Sequence, residues 1–248
     1  MIEGLFSALL RVHLTCALGA TAVFWVTASV RKGGVIHRAA GHWFARLVYA
    51  TAVTGAVMAL GVLAAPDLVH PPDLTQPLAA RVADADANRQ TMWLVLYVLL
   101  IIVAPVQHGV AVAMAGPNPS RMRSPLHATL SVASLVGSAA LLPAALLWEQ
   151  WLFLIVVPIG GIVGLRNMHY AARRQAHPDL WRREHLTSVI TAGITLHTAF
   201  FVFGTSRSLA LSLPGFWQLV PWVTPALIGL PVILWWRSRA LARVISGR

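Results

Sequence analysis

Residues 91–115 read TMWLVLYVLLIIVAPVQHGVAVAMA and contain no Asp, Glu, Lys or Arg. An α-helix rises 1.5 Å per residue, so about 20 apolar residues cover the roughly 30 Å of hydrocarbon in a bilayer. This run is long enough to cross. It is about twice the length of a barrel strand and shows no period-2 alternation. In hydrocarbon its backbone polar groups must be paired within the segment, which makes it a helix.

Six further segments share this character, at about 5–30, 44–66, 126–148, 150–171, 185–206 and 217–236. Hydrophobic residues make up 57% of the chain and charged residues 11%, where a soluble domain carries roughly 25% charged. The mean hydropathy is +0.70. These features predict an all-α polytopic integral membrane protein, a bundle of about seven transmembrane helices forming one domain over residues 1–248. The first segment reads as a retained helix, being too long for a signal-peptide core and carrying Arg11 inside the run. The longest gap, 67–90, opens with Pro71, Pro72 and Pro77 and continues as LAARVADADANRQ, a candidate surface helix. Small residues such as Gly55, Gly61, Gly161 and Gly164 predict close helix approach.

Charge sets the orientation. The gaps after the first, third, fifth and seventh segments carry RKGGVIHRAAGHW, GPNPSRMRSP, RRQAHPDLWRRE and RSRALARVISGR, and that side holds 15 of the 19 basic residues. The other side holds Arg81, Arg89 and Arg207 with six of the eight acids. The positive-inside rule then puts the N-terminus outside and the C-terminus in the cytoplasm. The net charge of +11 is thereby an orientation signal and not a nucleic-acid surface, and the cytoplasmic arginines suit anionic lipid.

An ionisable group within a span is costly and marks a functional site by default. Of the ten histidines, His70 and His177 fall in loops. His37 and His42 flank the start of the second helix. His108, His127, His169 and His185 fall in the cytoplasmic half or at its interface. His13 and His197 lie at a similar depth, roughly 12–15 Å in from the outer ends of oppositely directed helices. Two imidazoles on facing helices can ligate a haem iron from either side. Gly193 and Gly204 beside His197, and Ala17 and Ala20 beside His13, leave space for a macrocycle, with Phe24 and Phe200 at its edge. His108 with His169 or His127 forms a candidate inner pair, and Arg38, Arg46 or Arg166 can meet propionates. The single cysteine, Cys16, excludes covalent c-type attachment, so the cofactor expected is haem b.

The rival is zinc. His37 and His42 could join His127 and His185 near the cytoplasmic interface as a hydrolytic centre with an open position. Neither an HExxH nor an HxxxH pattern is present. Asp179 and Glu184 are the only acids on that side, and Glu184 reads as an interfacial acid favoured by a helix N-terminus. The spans show no buried acid, which argues against a transporter.

The stretch KGGVIHRAAGHWF, residues 32–44, follows a first helix that carries a histidine. It resembles a broad family of bacterial polytopic membrane proteins of unknown function, whose mark is a Lys-Gly-Gly turn followed by His-Arg and a glycine. Those positions here are Lys32, Gly33, Gly34, His37, Arg38 and Gly41, and the resemblance covers about the first 65 residues. Where that family often has an arginine and a tyrosine after the glycine, this chain has His42 and Trp43. The resemblance implies a multi-pass protein of the bacterial cytoplasmic membrane and brings no settled activity.

The functional expectation is a b-type cytochrome-like electron-transfer protein, the membrane subunit of a redox complex with quinone and other redox subunits as partners. The alternatives are the zinc-dependent membrane hydrolase and a cofactor-free structural or assembly subunit.

Overall fold

The structure, a computed structural model, describes residues 2–69, 74–122, 124–173, 178–205, 217 and 220–245. His70, His177, Pro71, Pro72, Asp73, Arg123, Arg174, Arg207 and Arg248 lie outside these residues. The protein is an all-α polytopic bundle with no strand among the described residues. Its long helices are α1 (Ile2–Ser29), α2 (Val35–Ala64), α4 (Leu78–Ala115), α5 (Pro125–Leu147), α6 (Trp151–Ala171), α7 (Pro178–Ala199) and α8 (Val220–Ile245). A four-residue helix α3 (Pro66–Val69) follows α2, and a π-helical turn, Phe200–Thr205, continues α7. Among the described residues six helices are long and apolar enough to cross a membrane, and Val220–Trp235 of α8 is a shorter apolar stretch.

Three helices start well before the segments that hydropathy marks. The second begins at Val35 rather than 44, the third at Leu78 rather than 91, and the sixth at Pro178 rather than 185. Hydropathy marks the part that sits in hydrocarbon, whereas backbone hydrogen bonding carries a helix through the polar interface. The Ala-, Arg- and Asp-rich stretch after Pro77 is therefore the first part of α4, not a separate surface helix. His37 and His42 sit inside α2 rather than ahead of it.

Outward faces confirm the solvent. On α2, Val53, Val57 and Leu60 are each more than half exposed, while Val48, Thr51, Gly55, Ala59 and Val62 are buried. On α6, Ile155, Ile159, Ile162 and Leu165 are exposed. Both the inner and outer faces are thus apolar. A water-soluble helix keeps a polar outer face, so the medium that matches these surfaces is lipid.

The chain divides into two compact units, residues 1–100 and 101–248. In the first, α1 packs along α2, and Phe24 meets Phe44 with ring centroids 5.8 Å apart. In the second, α5 packs on α6 and α7 on α8. A Cβ at Gly164 would sit 2.6 Å from the Ser131 carbonyl oxygen, so only glycine permits this α5–α6 spacing. Gly61, expected at a similar contact, faces open space.

The KGG turn is a cap for α1. Gly33 has φ +76°, a left-handed backbone that favours glycine, and Gly34 N–H donates to the Arg31 carbonyl at 3.1 Å. Lys32 Nζ donates to the carbonyls of Thr27 (2.8 Å) and Ala28 (2.6 Å). His37 Nδ1 reaches the same Thr27 carbonyl at 3.2 Å. The last carbonyls of a helix lack intrahelical donors, and these two side chains supply them.

Candidate functional site

Side chains from four helices, all within the second unit, converge within two turns of the helix ends on the arginine-rich side. α5 begins at Ser124–Pro125, a cap residue followed by proline at the first helical position. The Ser124 hydroxyl oxygen accepts from His127 N–H at 3.2 Å, which fixes His127 in the first turn. His108 lies seven residues before the end of α4, about 10 Å from it. Gly109 lets α7 come close, since a Cβ there would be 3.2 Å from Val189 and 3.4 Å from Ser188. That approach allows His185 Nδ1 to donate to the Gly109 carbonyl at 2.8 Å, and it brings Glu184 to His108.

The result is a hydrogen-bonded chain. His108 Nδ1 and His127 Nε2 are 2.7 Å apart, with their rings stacked at 30° and 5.0 Å between centroids. His108 Nε2 lies 3.1 Å from Glu184 Oε1. Arg166 Nε lies 3.2 Å from that same oxygen, and its Nη2 donates to Ser188 Oγ at 3.0 Å. The His108 side chain is fully buried and that of Glu184 is 14% exposed. The edge of Tyr170 faces the His108 ring at 5.6 Å. Asn167 and the Tyr170 hydroxyl are buried without a hydrogen-bond partner among the described residues, the kind of groups that ordered water satisfies.

Tautomers follow from the donor–acceptor inventory. An ionised carboxylate only accepts, so His108 Nε2 carries the hydrogen in that bond. The neutral ring then accepts at Nδ1, so His127 donates from Nε2 and keeps a lone pair on Nδ1. A proton taken up at His127 Nδ1 can release the Nε2 hydrogen to His108 Nδ1, and His108 can in turn release its own to Glu184. Arg166 pairs the carboxylate charge, which a buried acid needs. A carboxylate that orients one imidazole behind another is the triad arrangement with a second histidine in the nucleophile's place.

His127 also lines a cavity of about 450 Å³ between the start of α5 and the end of α6. The chain of bonds therefore runs from a cavity wall to a partly buried ion pair.

The expected site residues are distributed as follows. His108 and His127 do pair, but by direct contact. Two ligands on opposite sides of a metal stand about 4 Å apart, twice a metal–nitrogen bond. With the 2.7 Å contact on one nitrogen and Glu184 on the other, this arrangement does not fit an inner haem. His169 is exposed and meets Arg173 at 3.2 Å. Arg166, expected near propionates, meets Glu184 instead. Glu184 is a partly buried acid about two turns into α7, which starts at Pro178 rather than 185. For zinc, His37 bonds Thr27, His42 is exposed, His127 bonds His108 and His185 bonds Gly109. No group of three His, Cys, Asp or Glu side chains among the described residues is placed to hold a metal ion.

His13 belongs to the first unit and His197 to the second. His13 Nδ1 lies 3.0 Å from the Thr51 carbonyl and 3.2 Å from Thr54 Oγ1, with its Cε1 over Gly55. Thr54 spends its own hydroxyl hydrogen on backbone carbonyls, so His13 is the donor. His197 Nδ1 donates to the Gly193 carbonyl at 2.7 Å. Four histidines thus bond backbone carbonyls through Nδ1: His13, His37, His185 and His197.

Fold and site together define a multi-pass membrane protein with a buried histidine pair backed by a partly buried glutamate. No protein-family model matches the sequence, and neither a curated protein nor a solved structure matches it.

Proposed function

We propose that this protein is a proton-handling membrane subunit of a redox assembly in the bacterial cytoplasmic membrane. His127 is its proton-exchanging group at the cavity, and His108 and Glu184 are the relay behind it. The single observation that carries this reading is the 2.7 Å bond between His127 and His108, backed by Glu184 at 3.1 Å. The arginine-rich ends support a cytoplasmic side for the cavity under the positive-inside rule. The bacterial assignment follows the resemblance of the Lys32–Gly41 turn, and the redox setting makes quinone the natural partner.

Two measurements test the relay. In ¹⁵N-histidine-labelled protein in lipid nanodiscs, a coupling across the His108–His127 hydrogen bond is expected, with the hydrogen on Nε2 of both rings. A His108 ring protonated on Nδ1 in the resting state overturns the assignment. After a flash pH jump sensed by a surface-bound dye, the protein should take up a proton in a phase that His127→Ala lacks. An identical trace for that variant sinks the reading.

A further inference from the structure

We infer that the outward face of α2 binds an anionic phospholipid, its headgroup held by Arg38, His42 and Arg46 and its chains lying along Val53, Val57 and Leu60. The site belongs to the first unit, whereas the relay belongs to the second. The basic stretch after α1 divides by task. Lys32 and His37 cap α1 through its last carbonyls. Arg38, His42, Trp43 and Arg46 take no part in that cap.

Helical spacing puts these side chains in one row. Arg38, His42 and Arg46 recur every fourth residue and span about 12 Å along the axis. At 3.6 residues per turn, Val53, Val57 and Leu60 fall within the same arc of about 100°. The three basic side chains are exposed, and the three apolar ones are each more than half exposed. The face thus changes from cationic to apolar over about two turns, as a phospholipid changes from headgroup to chain. Trp43, also exposed, marks the headgroup level, where amphipathic rings settle. The Arg46 guanidinium carbon lies 5.4 Å from the centre of the Trp43 ring. A guanidinium held over a ring face keeps its in-plane N–H donors, which fit phosphate oxygens.

The sign of the headgroup follows from the charges. Residues 4–66 contain Arg11, Arg31, Lys32, Arg38 and Arg46 and no Asp or Glu. Among the described residues neither Arg38 nor Arg46 pairs with a carboxylate. A zwitterionic lipid brings an ammonium of its own to this row, whereas an anionic lipid brings net negative charge. The apolar continuation favours lipid over an acidic protein segment, because one molecule then covers both halves of the face.

The test titrates the full chain in detergent with phosphatidylglycerol and with phosphatidylcholine of the same chains. Native mass spectrometry counts the lipids bound. For the first lipid, phosphatidylglycerol should bind about thirtyfold more tightly, the worth of two basic residues near an anionic surface. Arg38→Gln with Arg46→Gln should remove most of that preference. Its binding of phosphatidylcholine should stay as in the unmodified chain, which reports that the variant is folded. Arg121→Gln with Arg182→Gln removes the same charge elsewhere on the arginine-rich side and should leave the preference intact. In the unmodified chain the preference should shrink as ammonium acetate is raised. Glycerol phosphate, which has the headgroup charge and no chains, should not displace the lipid at equal concentration. Equal affinity for the two lipids overturns the inference and points to an acidic protein as the partner. An equal loss in the two double variants, a preference that salt leaves unchanged, or displacement by glycerol phosphate overturns it as well.

Discussion

Glu184 Oε1 lies 3.1 Å from His108 Nε2 although 76 residues separate them, and Arg166 Nε shares the same oxygen at 3.2 Å. One carboxylate oxygen thus holds an imidazole from α4 and a guanidinium from α6. Removing one partner of a buried ion pair strands the other. Glu184→Ala and Arg166→Ala should each lower stability by about 2–3 kcal/mol, below the full range for buried pairs because the Arg166 side chain is 28% exposed. The double replacement Arg166→Met with Glu184→Met should cost less than the two single methionine changes summed. Unfolding in bicelles checks it, and strict additivity would refute the coupling.

Gly109 sets the distance between α4 and α7. Alanine there meets Val189 at 3.2 Å, a contact a small side-chain shift can relieve. Valine should force the helices apart, break the 2.8 Å His185–Gly109 bond and destabilise by about 1–3 kcal/mol. The same spectra that report the His108 tautomer should show it randomised in Gly109→Val and retained in Gly109→Ala.

The α1 cap makes a local prediction. Lys32→Ala removes both ammonium bonds to the Thr27 and Ala28 carbonyls, and should cost about 1 kcal/mol. Amide exchange in the last turn of α1 should quicken while that of mid-helix α1 stays slow. His37→Ala should act in the same direction and less, since Lys32 still covers Thr27.

Gly55 gives His13 its place. A Cβ at that position would be 2.9 Å from His13 Cε1 and 3.0 Å from Leu99. Gly55→Val should displace the imidazole from the Thr51 carbonyl and lower the melting temperature. His13→Ala in the same background should recover part of that loss, which separates the histidine clash from that with Leu99.

The membrane class and the paired helices were legible because hydrocarbon imposes length and apolarity on every span. His108 and His127 stood out because an imidazole in such a run is rare. Glu184 did not, since a hydropathy window started its helix at 185 and left the acid outside. The usable signal was Pro178–Asp179, a helix-opening pair that would have carried α7 two turns earlier. The direct His108–His127 bond was beyond reach for another reason: side-chain partners across helices depend on rotation and spacing, here set by Gly109 and Gly164, which local pattern does not encode.

The shared oxygen also limits capacity. In its resting form the cluster holds one guanidinium, one carboxylate and two uncharged imidazoles, a sum of zero. Loading it once leaves a single excess positive charge in a low-dielectric pocket. The relay delivers that proton to Glu184, so the excess charge is the Arg166 guanidinium's, and a second proton would set an imidazolium beside it with no carboxylate left to pair either. Proton traffic along this chain is therefore single file, each one passed on before the next is taken up.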